Sequence, residues 1–142
     1  MTTLLVDVAN VVGSRPDGWW RDRPGATARL LDRLAALGGR TVPGPGGAAV
    51  PVTALVAVVE GQAREVAAPG GVRLVRAPGS GDDALAATAA DLDTGDDDLL
   101  VVTADRGLRD RLPGSAAVAG PGWLRDTLDR LARRGAAGRL TP

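Results

Sequence analysis

Apolar residues fall in short, strand-length runs separated by stretches of helical period. The runs at 3–9, 52–59, 72–76, 99–103 and 116–119 are dominated by Val, Leu and Ala without regular polar alternation, the pattern of strands buried on both faces. Between them, 25–37 places Ala28, Leu30, Leu31, Leu34 and Leu37 at helical spacing. Residues 83–92 read as an Ala-rich second helix, 106–112 as a short third, and 123–133 as a last one carrying Leu124, Leu128 and Leu131. Segment 38–51 contains Pro43-Gly44-Pro45-Gly46-Gly47, a density of Pro and Gly that neither a helix nor a central strand tolerates, and is expected as a loop. The 135–142 segment is expected to be a flexible tail. Apolar strands alternating with helices, without internal repeats, imply right-handed βαβ units and a mainly parallel sheet.

Length and composition add one domain to that picture. The chain has 142 residues and 44% apolar content, enough for a single core, with 1–134 expected as the folded domain. Phe and Tyr are missing, so Ala, Val and Leu fill the interior together with Trp19, Trp20 and Trp123. No apolar run approaches the ~20 residues that span a bilayer and no signal peptide is evident, so a cytoplasmic protein is expected.

What is absent narrows the chemistry. The chain has no Cys and no His, and all 17 basic residues are Arg. A thiol nucleophile, a Ser-His-Asp triad and a Cys/His zinc site are thereby excluded, as are a P-loop and a Schiff base, which need Lys. Carboxylates, hydroxyls, amides and Arg remain, and hard oxygen ligands suit Mg²⁺, Mn²⁺ or Ca²⁺. Net charge is zero, but its distribution is uneven. Residues 82–98 hold seven acids and no base, whereas 15–40 and 125–139 are Arg-rich, an asymmetry compatible with an acidic metal centre flanked by phosphate-holding Arg.

Three aspartates stand at or just beyond the ends of predicted strands: Asp7, Asp82 and Asp105. In an open α/β sheet those ends face one crevice, where ligands bind. Asp82 and Asp105 also stand where helix N-caps are expected. Asp7 reads differently, because it follows Leu4-Leu5-Val6 inside a buried strand where an unpaired carboxylate is costly. Two carboxylates at ~4 Å repel by about 4 kcal/mol at an effective dielectric of 20, so a convergent group calls for a cation.

Competing motifs fare worse. Gly79-Ser80-Gly81-Asp82-Asp83-Ala84 fits the G-x-G-x-x-A dinucleotide pattern, but its two Asp would oppose a pyrophosphate, and it follows the third strand instead of the first. The acidic run from Asp91 to Asp98 has a misplaced Gly, and Val102 stands where a calcium loop needs a bidentate Glu. A phosphoaspartate role for Asp7 meets Ala9 where a second Asp would assist, and the chain has no Lys.

Val6-Asp7-Val8-Ala9-Asn10, followed by Val11-Val12-Gly13, resembles the D-x-x-N opening of NYN domains, the branch of PIN-like nucleases that includes the bacterial YacP-type ribonucleases. Asp82-Asp83-Ala84-Leu85 is similar to the central PIN motif, and Thr103-Ala104-Asp105 to the late T-x-D motif. The resemblance runs in order from Thr3 to about Leu131. It implies a three-layer α/β/α domain around a mainly parallel, five-stranded sheet, with the first and fourth strands adjacent and Asp7 beside Asp105. By the same analogy Asp7, Asp82 and Asp105 hold Mg²⁺ or Mn²⁺ for phosphodiester hydrolysis. Asn10 would orient a ligand or bind a substrate phosphate, and Thr103 would hydrogen-bond near the same centre. Glu60, where relatives often place Asp before Gly, is the candidate fourth acid, with Asp83 the runner-up.

RNA is the expected partner, and a homodimer is allowed. The segment from Gly13 to Pro24 pairs Trp19 and Trp20 with Arg15, Arg21 and Arg23, residue types that stack on bases and hold phosphates. At least one of the two indoles is expected to cover the core edge instead, and Trp123 reads as core. Arg106 and Arg109 lie near Asp105 and are further phosphate candidates, although exposed Arg on a short helix is usually only solvated. Two other functions remain open: a noncatalytic PIN-like binding module, which would tolerate an incomplete acidic set, and hydrolysis of nucleoside phosphates. The latter is weakened because Glu60 and Glu65 are the only Glu residues, too few for a Nudix-type box.

Overall fold

The computed structural model describes residues 1–140, and the side chains of residues 1–135. Strand β1 (Thr2–Asp7) lies at the centre, because Leu4, Leu5 and Val6 are all buried and can be covered only from both faces. It pairs in parallel with β3 (Ala49–Val59) on one side and β5 (Asp98–Val102) on the other. Strand β4 (Val72–Arg76) extends the sheet in parallel beyond β3, and β6 (Ala117–Ala119) beyond β5. The parallel order is therefore β4-β3-β1-β5-β6. The chain winds outward from β1 to β4, then returns to start the other half at β5. The β1/β5 boundary is thus the topological switch point, where connections diverge and leave a crevice beyond the strand C-termini.

The five expected strands are present and parallel, but the sheet as a whole is six-stranded and mixed. The extra strand, β2 (Thr41–Pro43), lies in the segment expected to be a loop and pairs antiparallel with Ala49, Val50 and Pro51. Its turn is closed by Gly44 N–H donating to the Ala48 carbonyl at 2.7 Å, with Gly47 at φ +94°, a conformation glycine adopts without strain. Pro43 and Pro51 are tolerated because this hairpin sits at the sheet edge. The Trp123 indole, packed against the core, donates to the Pro43 carbonyl at 3.0 Å and ties the hairpin down.

Alternate residues of the central strands face opposite layers. Leu4 and Val6 join Leu31 and Leu34 of α2 (Arg23–Ala35), Val8 and Val11 of α1 (Val8–Val12), and Leu124 and Leu128 of α5 (Pro121–Leu140). Leu5, Val56, Val58 and Val101 pack instead on Leu85 and Ala89 of α3 (Gly81–Leu92) and Leu108 of α4 (Arg106–Arg109). Helices therefore cover both faces. Helix α2 starts where Asp22 accepts the Gly25 N–H at 3.0 Å. A Cβ on Gly25 would lie 2.2 Å from that carboxylate, so the cap needs glycine there.

Other boundaries also differ from expectation; α4, for one, ends at Arg109 and not at 112. The first strand stops at Asp7, two residues early, and Val8–Val12 forms a helical turn. Asp7 is its N-cap, and Val8, Val11 and Val12 are buried at i, i+3 and i+4, so burial of one face outweighs the weak helix preference of Val. The last helix begins at Pro121, a residue suited to a first turn, and its backbone continues to Leu140 instead of ending at Arg133. Of the segment expected as a tail, Thr141 and Pro142 lie outside the described residues. No helix among the described residues is long and apolar enough to cross a membrane.

Candidate active site

Three parallel strands deliver acids to the crevice. Register fixes the first pair, because Val6 lies opposite Val102, which brings Asp7 level with Thr103. Asp7 also lies opposite Val58 of β3, so Glu60 emerges one step beyond the adjacent strand end. Asp82 comes from the first turn of α3, and Asp105 from the start of α4.

Thr103 links two of these acids. It is fully buried; its hydroxyl donates to Asp7 Oδ2 at 3.1 Å and accepts from the Asp105 N–H at 3.2 Å. The other Asp7 oxygen accepts from the Asn10 N–H at 3.4 Å, a long cap bond. Asp105 caps α4 by accepting from the Leu108 N–H at 3.1 Å. Asp7 is therefore a helix cap as well as a strand-end acid, the role expected only of Asp82 and Asp105. Asp82 caps nothing: the N-cap of α3 is Ser80. Glu60 accepts a short hydrogen bond from the Gly81 N–H, and a Cβ on Gly81 would lie 2.2 Å from Glu60 Oε2. Glycine at 81 thus allows the acid from β3 to reach the start of α3.

The carboxylates sense one another. Burial, chiefly, pushes Asp7 above its ordinary value of 3.8, opposed by the Thr103 and Asn10 hydrogen bonds and reinforced by the negative charges of Asp82 and Glu60. Asp82 is raised by desolvation first, then by the charges of Asp105 and Glu60 and a carboxyl contact with Asp105, while Arg111 acts the other way. Carboxylates with an amide and a hydroxyl nearby form a donor set whose chemistry fits a hard dication. Among the described residues, however, no three acidic side chains close round a common point. Asp7, Asp105 and Glu60 are instead each drawn toward a backbone N–H.

The other expected site residues divide. The Asn10 side-chain oxygen accepts from the Ala104 N–H at 2.9 Å, bracing α1 against the β5–α4 connection. Asp83 is exposed and paired with Arg111 at 2.8 Å. Arg15 is drawn to Asp129 of α5 at 3.0 Å, a carboxylate it shares with Arg33 at 2.7 Å. Trp19 packs on the core with the Arg23 guanidinium 5.2 Å from its ring centre, whereas Trp20 is 51% exposed. Arg106 is exposed at the start of α4, and Arg109 donates to the Thr103 carbonyl at 3.4 Å.

Two contributors belong to none of the three NYN-like sequence motifs. Gly81 is one, and its signal was the glycine preceding Asp82. The other is Arg125, which donates to the Val11 and Val12 carbonyls at 2.8 and 3.4 Å and closes the C-terminal end of α1. No local sequence signal joins residues so far apart.

The β4-β3-β1-β5-β6 order, with acids at the β1/β5 switch point, defines a doubly wound α/β fold with its candidate site at the strand C-termini. Solved structures bear this out. Rae1 (YacP) from Bacillus subtilis superposes with a TM-score of 0.71 at 16% identity, over 96% of this chain and 79% of that one. Its W164L mutant gives 0.68 at 19% identity, over 94% and 79%. The likeness is one of fold, to the YacP branch that the motifs resemble. No protein-family model matches the sequence, and no curated protein matches it.

Proposed function

We propose that this protein is a metal-dependent ribonuclease that hydrolyses phosphodiester bonds at the β1/β5 crevice. The observation that supports it most is the placement of Asp7, Glu60, Asp82 and Asp105 at the switch-point crevice of a YacP-like fold, where burial first and the neighbouring carboxylates second raise Asp7 and Asp82. Asp7, Asp82 and Asp105 would hold Mg²⁺ or Mn²⁺, with Glu60 as the fourth acid. The ion supplies activation of water and neutralisation of charge on the phosphodiester. Thr103 fixes the Asp7 carboxylate against β5 and favours its charged form, opposing the effect of burial. Asn10 holds the loop that carries Asp105 in register with α1. Exposed Arg106 supplies a cation at the crevice rim for a flanking phosphate, a role its placement allows.

A panel of single-stranded and structured RNAs, incubated with Mn²⁺, Mg²⁺ or EDTA, tests the reading against Asp7→Asn. Metal-dependent cutting that disappears in the variant is expected. A folded wild type that leaves every RNA intact, or a variant that cuts equally well, overturns it. The second reading is a noncatalytic binding module, favoured by the absence among the described residues of three acids closed on one point. It expects RNA or protein binding that is insensitive to EDTA and to Asp7→Asn.

A further inference from the structure

A cleft of about 310 Å³ opens beside the acid cluster, between α1 and α2 on one side and the Gly61–Ala63 turn on the other. Val8 and Val12 form an apolar wall, Trp19 and Arg23 a flat one, and Glu60 the boundary with the acids. Glu60 therefore belongs to both places: its carboxylate accepts from the start of α3, and the residue lines the cleft. We infer that this cleft receives one unpaired nucleobase of the RNA strand whose phosphodiester lies at the acid cluster. The inference deepens the ribonuclease reading and rests on it for the identity of the strand.

The chemistry of the walls selects the occupant. The Glu60 carboxylate disfavours an anion inside the cleft, so a phosphate belongs outside it. The Arg23 guanidinium lies over the Trp19 ring, and guanidinium and indole planes are the surfaces on which unpaired bases stack. A group that is flat, uncharged and apolar-faced, yet tethered to a phosphate chain, meets all three conditions. Arg23 is also exposed, so it presents positive charge to the chain at the cleft mouth. A paired base must leave its stack to enter, which makes the site selective for single strands.

The test is binding without cleavage. Fluorescence anisotropy in EDTA compares a labelled single-stranded oligoribonucleotide, a fully abasic strand of the same length, and a duplex. Trp19→Ala removes a wall. Because Trp19 also packs on the core, Gly79→Leu provides a second variant: Gly79 lines the cleft and a Cβ there meets nothing within 4 Å, so a larger side chain can start from that position and narrow the cleft. Thermal melting confirms that both variants fold. Wild type should prefer the intact strand to the abasic strand and the duplex, and each variant should lose about 5- to 150-fold on the intact strand alone. Unchanged binding by folded Gly79→Leu, or an equal loss on the abasic strand, overturns the inference. Failure of the nuclease reading is separate: it would appear as absence of metal-dependent cutting while base-dependent binding in EDTA persists.

Discussion

Replacing Thr103 with Val tests the link between fold and acid cluster, because Val keeps the shape and removes only the hydroxyl. That hydroxyl is fully buried and makes two hydrogen bonds, to Asp7 at 3.1 Å and from the Asp105 N–H at 3.2 Å. A hydrogen bond to a charged group contributes about 1.5–3 kcal/mol, and a buried N–H left unpaired costs about 1–3 kcal/mol. Since both bonds share one oxygen the losses overlap, and about 2–4 kcal/mol is expected at neutral pH, a fall in Tm of about 6–12 °C for a chain of this size. The cost depends on pH. Burial already raises Asp7 above 3.8, and the Thr103 bond opposes that rise. A carboxyl whose folded value is raised loses stability as pH rises through that value, and Val steepens the loss by raising it further. The cost of Thr103→Val should therefore be full above the folded value of Asp7 and shrink as pH falls toward 3.8. Denaturant unfolding at neutral and acidic pH measures it, with Thr103→Ser as control. Ser retains the hydroxyl and loses one methyl, about 1 kcal/mol at either pH. If Val and Ser behave alike, or if the Val cost stays constant with pH, Thr103 is only a packing residue.

Three other outcomes follow from the same geometry. Gly81→Ala must displace the Glu60 carboxylate, which a new Cβ would approach to 2.2 Å; stability should change by less than about 1 kcal/mol, since Ala favours the helix, while Mn²⁺ affinity by calorimetry falls about 10- to 100-fold. Unchanged affinity removes Glu60 from the ligand set. Asp82→Asn should stabilise the metal-free protein by up to about 1 kcal/mol at neutral pH, because it removes an acid raised by burial, Asp105 and Glu60; the gain fades as acidification protonates the wild-type carboxyl. A thermal shift of opposite sign refutes it. Asp129→Asn runs the other way, because hydrogen bonds from Arg33 and Arg15 hold Asp129 at about 2, below its ordinary 3.8. Its contribution is present above 3.8 and is lost as pH falls through about 2. With the groups half-exposed, about 1 kcal/mol should be lost at neutral pH and nothing in strong acid.

Much of the frame was legible because periodicity and the apolar runs report burial, and burial is what the central strands share. The 72–76 run became β4 with the same bounds, and Leu30, Leu31 and Leu34 are buried as their spacing required. What stayed hidden depends on contacts. Residues 41–43 pair with 49–51 only because glycines close the turn and Trp123 holds the edge from α5. Val8–Val12 has the composition of a strand, and its helical turn follows from a cap and a buried face that composition does not reveal. At the site, the order of the acids was readable, but the pairing of Arg15 with Asp129 and of Asp83 with Arg111 was not, since each joins distant parts of the chain.

The anchoring of the acids explains how the cluster tolerates its own charge. Asp7 caps α1, Asp105 caps α4, and Glu60 accepts from the first turn of α3, so each carboxylate meets a backbone N–H that helix geometry leaves without an intrahelical partner. Thr103 adds a donor to Asp7. Asp82 alone has no hydrogen-bond donor among the described residues, and Asp105 presses on it directly. The cluster is thus three anchored acids around one that is repelled. A dication would relieve most repulsion at Asp82 while competing with N–H groups for the other three, so metal affinity depends on how readily the caps give way. The same substitution, Asp82→Asn, should then act with opposite signs: it relieves the protein without metal, and it reduces the Tm gain on adding Mn²⁺ by removing the acid with most to gain.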